Sequence, residues 1–388
     1  MMDAQPAKPA KTPFRQKLRE RGFFRPYVLI SEGAFLFGLL VYLLSRFLPA
    51  FAEFWARYPS HWLRFLLAKC SGILHFSIVE WGILSLPILI GGYFFFSSRS
   101  MKRDDSAYNY YRWLLPLACA ILIVIFLFFT AFAPCYFRYS LAENLSLEER
   151  EVTAQELYDT ASIVCYEIEA LKDDVNFLFG KESIMPYDFD ELVEKVDEAY
   201  GKFASEQDFI GHFHSRAKPL ASSSLFTYTH ISGVYTFMTG EVNINVNYPD
   251  FIRPFTIAHE FSHQRGIAKE EEANFVAYLV CIGSDDPFIR YSGYTNLLQY
   301  LMDALAKADK TLYRKLCTEK LPAEVGGEFD SYSLFFRKYS ESTASKVTGG
   351  INDVFLTSQG EKAGSASYGL VVDLAVAYYC GESAKETP

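Results

Sequence analysis

Two histidines and a glutamate stand at a spacing that can hold and use a metal ion, in the run His259-Glu260-Phe261-Ser262-His263. Residues four apart lie one above the other on a helix face, so both imidazoles can reach a single ion. Glu260 falls beside that face, where its carboxylate can take a proton from a water that the metal activates. HExxH is typical of zinc hydrolases, and we predict His259 and His263 as Zn2+ ligands and Glu260 as the catalytic base.

The residues around the motif favour a buried helix. Ile257, Ala258, Phe261 and Ser262 are uncharged and mostly apolar. Histidines and a carboxylate are costly to bury in such surroundings without a metal or another partner. The alternative interpretation is an amphipathic helix whose polar stripe happens to contain His, Glu and His.

The chain after the motif predicts where a third ligand comes from. Gly266 is a natural left-handed stop for the first helix, and a new helix is predicted to begin at Lys269. Catalytic zinc needs a third protein ligand and an open position, and an acid in the new helix can supply it. A metzincin would place its third histidine at Lys269, an ammonium that cannot bind a metal. The available acids are Glu270, Glu271 and Glu272.

Here the chain resembles the gluzincin metallopeptidases, in which a glutamate on the following helix is the third zinc ligand. The run Glu270-Glu271-Glu272-Ala273-Asn274 is similar to the ExxAD or ExxxD pattern of those enzymes, with Asn274 where an aspartate usually stands. The resemblance implies Glu270 as the third ligand, while Glu272 remains a competitor. Any of these acids can instead complement the helix dipole. An asparagine carbonyl can still accept an imidazole N–H, as the aspartate does.

Over most of its length the chain resembles an uncharacterised bacterial family of membrane-anchored zinc metallopeptidases of the gluzincin type. The resemblance is specific only within residues 225–280. It implies a mainly helical α+β zincin-like domain with a small sheet behind a membrane anchor, and Zn2+ as the cofactor.

Three apolar stretches are long enough to cross a membrane, which takes about 20 residues. We therefore predict a basic tail at 1–26, a three-helix transmembrane module at 27–137 and a zinc metallopeptidase-like domain at 138–388. The three predicted spans are Tyr27 to Leu48, Ile73 to Phe96 and Trp113 to Cys135.

The charge distribution predicts how the chain crosses the membrane. Residues 1–137 contain 15 basic and 7 acidic side chains, whereas residues 138–388 contain 22 and 39. The N-terminal tail and the connection between the second and third spans are both basic, so both are predicted to be cytoplasmic. Three spans then place the acidic domain outside the cytoplasm, and such a domain is a poor nucleic-acid binder.

The connection between the first two spans, residues 49–72, is rich in aromatic side chains. This composition predicts an amphipathic piece that lies on the outer membrane surface rather than a free loop. Its basic residues weaken the orientation argument a little. Glu80, near the start of the second span, is assigned to the interface rather than the membrane interior. The apolar residues concerned are Phe51, Phe54, Trp55, Trp62, Phe65 and Leu66.

The domain after the spans is predicted to be rich in helices. A capping box at residues 146–149 predicts the start of a long helix that continues to Leu171, and another helix is predicted from Asp188 to Phe203. Alternating apolar residues predict a hairpin that turns at Thr239-Gly240. Within it, we take residues 241–247 as an edge strand for extended substrate, with a purely structural hairpin as the alternative. Later helices are predicted near 287–306, 308–318, 325–345 and 366–380.

Several other residues were weighed for chemistry. A tetrahedral intermediate needs a second donor, and Tyr368 and His230 are candidates, although packing or surface placement competes for both. His212 and His214 flank a phenylalanine in a predicted surface turn and are assigned no metal. The seven cysteines show no metal-binding spacing, and we predict no disulfide.

Together these patterns predict a membrane-anchored zinc-dependent peptidase that hydrolyses peptide bonds outside the cytoplasm. Its expected partners are the lipid bilayer and a peptide or cell-envelope protein substrate, and not nucleic acid. The alternative is a non-proteolytic zinc-binding membrane sensor or an envelope scaffold. Retention of Glu260 beside the two histidines is typical of an active enzyme.

Overall fold

A computed structural model describes residues 13–104, 106–148, 150–179, 181–339, 346 and 368–385. The described chain is mainly helical with small sheets, and it falls into two compact units. The first unit contains the described residues up to Leu43 together with Trp81–Thr130. The second contains Leu44–Glu80 and the described residues from Ala131 onward.

Three helices are long and apolar enough to cross a membrane, as predicted. The second begins at Ile78, five residues later than the sequence pattern suggests, because the Ser77 hydroxyl accepts the backbone N–H of Glu80 and starts the helix there. The third apolar stretch continues beyond its α-helix to Tyr136. With the short α1 (Phe14–Glu20) before them, these helices are α2 (Pro26–Phe47), α5 (Ile78–Arg103) and α6 (Ala107–Leu127).

Between the first two of these helices lie α3 (Pro49–Arg57) and α4 (Pro59–Ser71), both in the second unit. Each has a proline in its first turn, where the missing N–H would have no helical partner. The segment predicted to be an amphipathic surface piece therefore forms two consecutive helices, and both pack into the second unit.

The remaining helices of the second unit surround one hydrophobic core. The central helix α12 is buried on nearly every side, because its run of apolar residues leaves no polar face. Around it pack α9, α11, α13 and α16, while α8 packs against α13. The helices are α7 (Leu141–Leu145), α8 (Ala154–Leu171), α9 (Phe189–Ser205), α10 (Ser223–Phe226), α11 (Ile252–Gln264), α12 (Glu270–Ile282), α13 (Pro287–Ala308), α14 (Lys310–Glu319), α15 (Ala323–Arg337) and α16 (Tyr368–Lys385).

The predicted start of α8 is wrong. Ser146 does not cap this helix but ends α7, in a left-handed conformation with φ of 55°. The capping box lies seven residues later, where the Thr153 side chain accepts the N–H of Glu156 and the Glu156 carboxylate accepts the N–H of Thr153. The short α7 occupies the chain just before Ser146, so no helix can begin there. The predicted helix from Asp188 is found as α9, with Asp188 as its N-cap.

A three-stranded sheet lies beside α11, in the order β3 (Ala217–Pro219), β5 (Glu241–Ile244) and β4 (Gly233–Thr236). The predicted hairpin is found as the antiparallel pair of β4 and β5, with Gly240 at φ of 69° in its turn. The assignment of the edge strand is wrong, because β3 pairs parallel to β5 and makes β5 the central strand. Of the described strands in this sheet, β3 and β4 have the outer positions. A second sheet pairs β1 (Phe177–Leu178) with β2 (Glu182–Ser183).

Candidate metal centre

Helix α11 carries both histidines of the motif. Their ring centroids are 4.6 Å apart, and the ring planes meet at 87°. The helix ends, as predicted, just before Gly266, which has a φ of 95°. The backbone N–H of Ile267 then bonds back to the carbonyl of Ser262 at 2.9 Å, which closes the helix end and reverses the chain. The next helix, α12, therefore begins close to the histidines.

Glu270, the first residue of α12, lies against both histidines. Its Oε2 is 3.3 Å from Nε2 of His259, and its Oε1 is 3.6 Å from Nε2 of His263. Two ligands that bind zinc tetrahedrally at about 2.0–2.1 Å lie roughly 3.4 Å from each other. The three donor groups, all within 4.8 Å of one another, therefore have separations that fit a zinc ion.

A backbone carbonyl orients His263 for this role. Its Nδ1 lies 2.8 Å from the carbonyl oxygen of Ile267, and since a carbonyl can only accept, Nδ1 carries the proton. Nε2, which faces Glu270, is then the nitrogen that a metal can bind once its proton is displaced. The carbonyl of Ile267 thus gives His263 a supporting hydrogen bond. Nδ1 of His259 is buried and has no hydrogen-bond partner among the described residues.

The Glu270 carboxylate favours positive charge on the neighbouring histidines. Burial acts to lower the pKa of His263, but the Glu270 carboxylate outweighs it and raises the pKa to about 9. Burial likewise acts to raise the pKa of Glu270, yet the two histidines hold it well below its usual range. The metal-free group therefore keeps a proton at neutral pH, and a metal ion that binds there displaces it.

Glu260 is buried on the same helix, with only 5% of the residue exposed. Burial raises the pKa of its carboxyl, although the neighbouring histidines oppose the rise. The backbone N–H of Tyr235 on β4 faces this carboxylate and acts to lower its pKa. A buried carboxylate with a raised pKa beside a metal site is suited to accept a proton and return it.

The outer strand β4 can approach Glu260 because it begins with a glycine. A Cβ at Gly233 would lie 2.8 Å from both Cγ and Oε1 of Glu260, and 2.7 Å from Cγ2 of Thr256. Both distances are much shorter than van der Waals contact. The sequence analysis missed Gly233, although a glycine in a strand pattern is a known signal of close backbone approach.

Glu272, the competing third ligand, directs its carboxylate elsewhere. Its Oε1 accepts the backbone N–H of Leu141 at 3.0 Å and the ammonium of Lys269 at 2.9 Å. The residue is buried, so these two donors satisfy a carboxylate that water cannot reach well. Among the three acids at the start of α12, Glu270 is the one that the structure brings to both histidines.

Of the two candidate donors for a tetrahedral intermediate, His230 has its ring nitrogen bonded elsewhere. Nε2 of His230 donates to the carbonyl of Tyr339 at 2.8 Å, and its ring packs against Phe336 at 5.6 Å. His230 therefore has a packing role at the end of α15. Tyr368 is the first residue of α16, and its side chain lies outside the described residues.

A second group of potential metal ligands comprises Asp197, His212 and His214. Nδ1 of His214 is 2.6 Å from Oδ2 of Asp197, which is the distance of a hydrogen bond rather than that of two zinc ligands. The other oxygen of Asp197 accepts from the buried guanidinium of Arg265 at 2.6 Å. A cation bound here would face that guanidinium, so the group fits an ion-paired network better than a metal site. That His212 and His214 bind no metal stays a prediction.

Two arginines bind the carbonyl end of α11, and the sequence analysis missed both. Arg64 on α4 is 1% exposed, and its Nε donates to the carbonyl of Gln264 at 2.9 Å. Arg138 donates to the carbonyl of Gly266 at 3.3 Å and forms a two-pronged ion pair with Glu53 on α3. Cations at this end complement the helix dipole. The sequence signal that could have identified Arg64 is its position as a charged residue within an aromatic-rich segment.

The end of the third apolar stretch also reaches the centre. The ring of Phe132 packs edge-on against His263, with centroids 6.2 Å apart, and lies 5.4 Å from the ring of Tyr235. Phe132 lies in the candidate span Tyr108–Tyr136 and belongs to the second unit. The metal centre is therefore in contact with residues at the end of a candidate membrane span.

Comparison with known proteins adds a family but no activity. No curated protein and no solved structure matches the chain. One family model, described as "Protein of unknown function (DUF3810)", matches residues 56–376, a range that includes α4, the sheet and the whole metal centre. Because this match covers well over half of the sequence, the chain belongs to the DUF3810 family.

Proposed function

We propose that this protein is a membrane-tethered zinc peptidase, with His259, His263 and Glu270 as zinc ligands and Glu260 as the catalytic base. The observation that carries the proposal is the placement of three donor groups at zinc-ligand separations beside a buried glutamate. Structural zinc sites close with four protein ligands, whereas three ligands leave one position for water or substrate. Two imidazoles and one carboxylate are a donor set typical of catalytic zinc.

The residues of the centre divide the chemical work. When bound, zinc would activate a water and polarise the carbonyl of the scissile bond. Glu260 accepts the proton of the attacking water and delivers it to the leaving amine. Ile267 holds His263 in the tautomer that a metal requires, so binding needs no rotation of this ring. The N–H of Tyr235 faces the Glu260 carboxylate and favours its charged form.

The outer strand β4 favours a peptide as the substrate. It lies directly against Glu260 and occupies an outer position of its sheet. An extended peptide can bind beside such a strand through main-chain hydrogen bonds, which suits an enzyme that cleaves peptide bonds. The strand therefore replaces β5, which the sequence analysis had assigned to this role.

The three apolar helices and the basic residues near the N-terminus support a multi-pass protein of the cell membrane. The same charge distribution favours a cytoplasmic N-terminus and a catalytic domain outside the cytoplasm. On this placement the substrate is a peptide or a cell-envelope protein. The alternative is a non-proteolytic zinc-binding sensor or scaffold. It requires the same zinc ligands but does not require Glu260 as a catalytic base.

Replacement of Glu260 by glutamine tests the proposal. In the purified full-length protein, Glu260→Gln should keep its zinc, because the three ligands remain, and should lose peptide hydrolysis by at least about 100-fold. Zinc is measured by mass spectrometry and hydrolysis with a fluorogenic peptide library. The matched control, Glu272→Gln, should keep both zinc and activity.

Two outcomes would contradict parts of this proposal. Unchanged hydrolysis in a zinc-loaded Glu260→Gln protein would refute the role of Glu260. A wild-type protein that binds zinc in equal molar amount but cleaves no peptide in the library would instead favour the sensor or scaffold.

A further inference from the structure

Helices α3 and α4 turn their large apolar side chains outward. Four large apolar side chains at every fourth position, three in these helices and one at the residue that joins them, are each more than half exposed and are here called the stripe. The rings of Phe54 and Tyr58 are in contact, with centroids 5.4 Å apart. Exposed apolar side chains grouped in this way mark a surface that contacts something other than water. The stripe consists of Phe54, Tyr58, Trp62 and Leu66, which are 54%, 56%, 61% and 55% exposed.

The opposite face of the same helices is polar or small, and it is buried. Ser60 donates to the carbonyl of Ala131, and Nη1 of Arg64 donates to that same carbonyl at 3.0 Å. Glu53 is 7% exposed and pairs with Arg138. Water-soluble proteins place polar groups outside and large apolar groups inside, whereas these helices do the reverse. The polar face of these helices therefore packs into the unit, and the apolar stripe is left on its surface.

The course of the chain identifies lipid as the occupant of the stripe. The candidate span α2 ends at Phe47, only two residues before α3 begins, and the candidate span α5 begins at Ile78, seven residues after α4 ends. The connection between α4 and α5 carries further exposed apolar side chains at Ile73 and Phe76. Tyrosine and tryptophan, both present in the stripe, are enriched where membranes meet water.

We propose that the stripe of Phe54, Tyr58, Trp62 and Leu66 docks into the headgroup region of the adjoining lipid leaflet. This docking holds the metal centre at the membrane surface, so that the substrate is the juxtamembrane segment of a membrane-anchored polypeptide. The substrate class rests on the proposed peptidase function. The docking itself does not.

The reverse face of the docking helices is bonded to the metal-binding helix. Arg64 donates from α4 to the carbonyl end of α11, and Phe132, at the end of a candidate span, packs on His263. At the start of the next span, the Glu80 carboxylate accepts the backbone N–H groups of Ala221 and Ser222 at 3.0 and 2.7 Å. These contacts all lie within the second unit, so a docked stripe fixes the depth of the metal centre.

Quenching of Trp62 fluorescence tests the docking. A full-length variant with Trp55, Trp81 and Trp113 replaced by phenylalanine keeps Trp62 as its only tryptophan. It is reconstituted into phosphatidylcholine vesicles brominated either near the headgroup or near the chain end. An interfacial residue lies about 5–10 Å into the headgroup and acyl boundary. We therefore expect strong quenching that is greater for bromine near the headgroup.

The matched control moves the reporter to a surface of α8. In the same background, Trp62→Phe is combined with Tyr166→Trp, a position that is 71% exposed. This reporter should be quenched at least about fivefold less than Trp62, since α8 carries no such stripe. Absence of quenching at Trp62, or equal quenching at both positions, would overturn the docking. A separate Trp62→Cys variant tests whether the stripe contacts a second copy. Efficient cross-linking of two copies through this cysteine, together with no lipid quenching in the single-tryptophan protein, would assign the stripe to a second copy and overturn the lipid docking.

A second measurement addresses the substrate class. A fluorogenic peptide library is offered to the reconstituted protein either free or carrying a palmitoyl anchor. Raised local concentration should make the wild-type protein cleave the anchored form at least about tenfold faster. In the variant Tyr58→Ser, Trp62→Ser, Leu66→Ser, the stripe no longer holds the metal centre at the membrane surface, so this preference should fall. The variant should keep its rate on free peptides, which shows that it is folded. Equal rates on both forms by the wild-type protein would overturn the substrate class. Failure to cleave either form would refute the peptidase, while Trp62 quenching still decides the docking.

Discussion

The choice between Glu270 and Glu272 depends on helix geometry at the scale of single residues. Residues that are two positions apart in an α-helix point in directions about 200° apart. The carboxylates of Glu270 and Glu272 therefore point to nearly opposite sides of the helix. Glu270 faces the histidines, and Glu272 faces Leu141 and Lys269. A run of three glutamates in the sequence cannot show which one faces the histidines, because that depends on the angle at which α12 follows the turn at Gly266.

Substitution of the two acids should separate their roles. Glu270→Gln should weaken zinc binding by at least about 100-fold, because an amide is a much poorer ligand than a carboxylate. Glu272→Gln should change the zinc affinity by less than about threefold. Competition with a chromophoric chelator measures both. A larger loss in the Glu272 variant than in the Glu270 variant would reverse the assignment.

The closeness of β4 to Glu260 yields a second prediction at this scale. Gly233→Ala should push the Glu260 carboxylate from its position and reduce turnover by about 100-fold, since displacements near 1 Å have effects of this size. The zinc content should stay unchanged because no ligand is touched. Gly326→Ala is the control, because the nearest atom to a Cβ there is 4.0 Å away. Equal turnover in wild type and Gly233→Ala would show that Glu260 tolerates the displacement.

At the scale of elements, local signals predicted the helix ends that depend on local chemistry. Gly266 ended α11, and Asp188 began α9, because a left-handed glycine and a capping carboxylate act within one turn. The start of α8 was missed because two capping-box patterns follow each other in the sequence, one at Ser146 and one at Thr153. The chain begins the helix at the second of them. The sheet order was also missed, because alternation shows which face is buried and not which strand is the neighbour.

Arg64 links two elements, and its loss should be costly. Arg64→Met removes hydrogen bonds from a fully buried guanidinium to several carbonyls, including that of Gln264 at the end of α11. We expect the free energy of unfolding to fall by about 3 kcal/mol, since hydrogen bonds from charged groups contribute roughly 1.5–3 kcal/mol each. Lys69→Met on the same helix should change it by less than about 0.5 kcal/mol. Chemical denaturation in detergent measures both, and similar values for the two variants would contradict a structural role for Arg64.

At the scale of the whole molecule, the candidate metal centre belongs to the same unit as the end of α2, the start of α5 and the end of the third apolar stretch. Besides Glu80 and Phe132, the carboxylate of Glu241 on β5 accepts the backbone N–H groups of Ile78 and Val79 at the start of α5, and it pairs with the buried Lys218 on β3. The sheet beside α11 is therefore bonded directly to the beginning of a candidate span.

Removal of metal should destabilise this unit as a whole. A ligand that binds only the folded state at about 100 times its dissociation constant adds roughly 2.7 kcal/mol to stability. Chelation should therefore lower the Tm of the wild-type protein, and added Zn2+ but not Mg2+ should restore it. A His259→Ala, His263→Ala double variant should not respond to either treatment. A wild-type Tm that is insensitive to the chelator would argue against a bound metal in the folded protein.

The sequence by itself determined the features that act over a few residues or through composition. These are the three apolar helices, the excess of acid in the later domain, and the HExxH helix with its stop at Gly266. The tertiary structure decided what depends on distant segments: Glu270 rather than Glu272 at the histidines, β4 rather than β5 at the edge, and Arg64 at the end of α11. The physical reason is range, because capping and periodicity act within one or two turns, whereas ligand grouping and strand order depend on how segments up to 200 residues apart pack together.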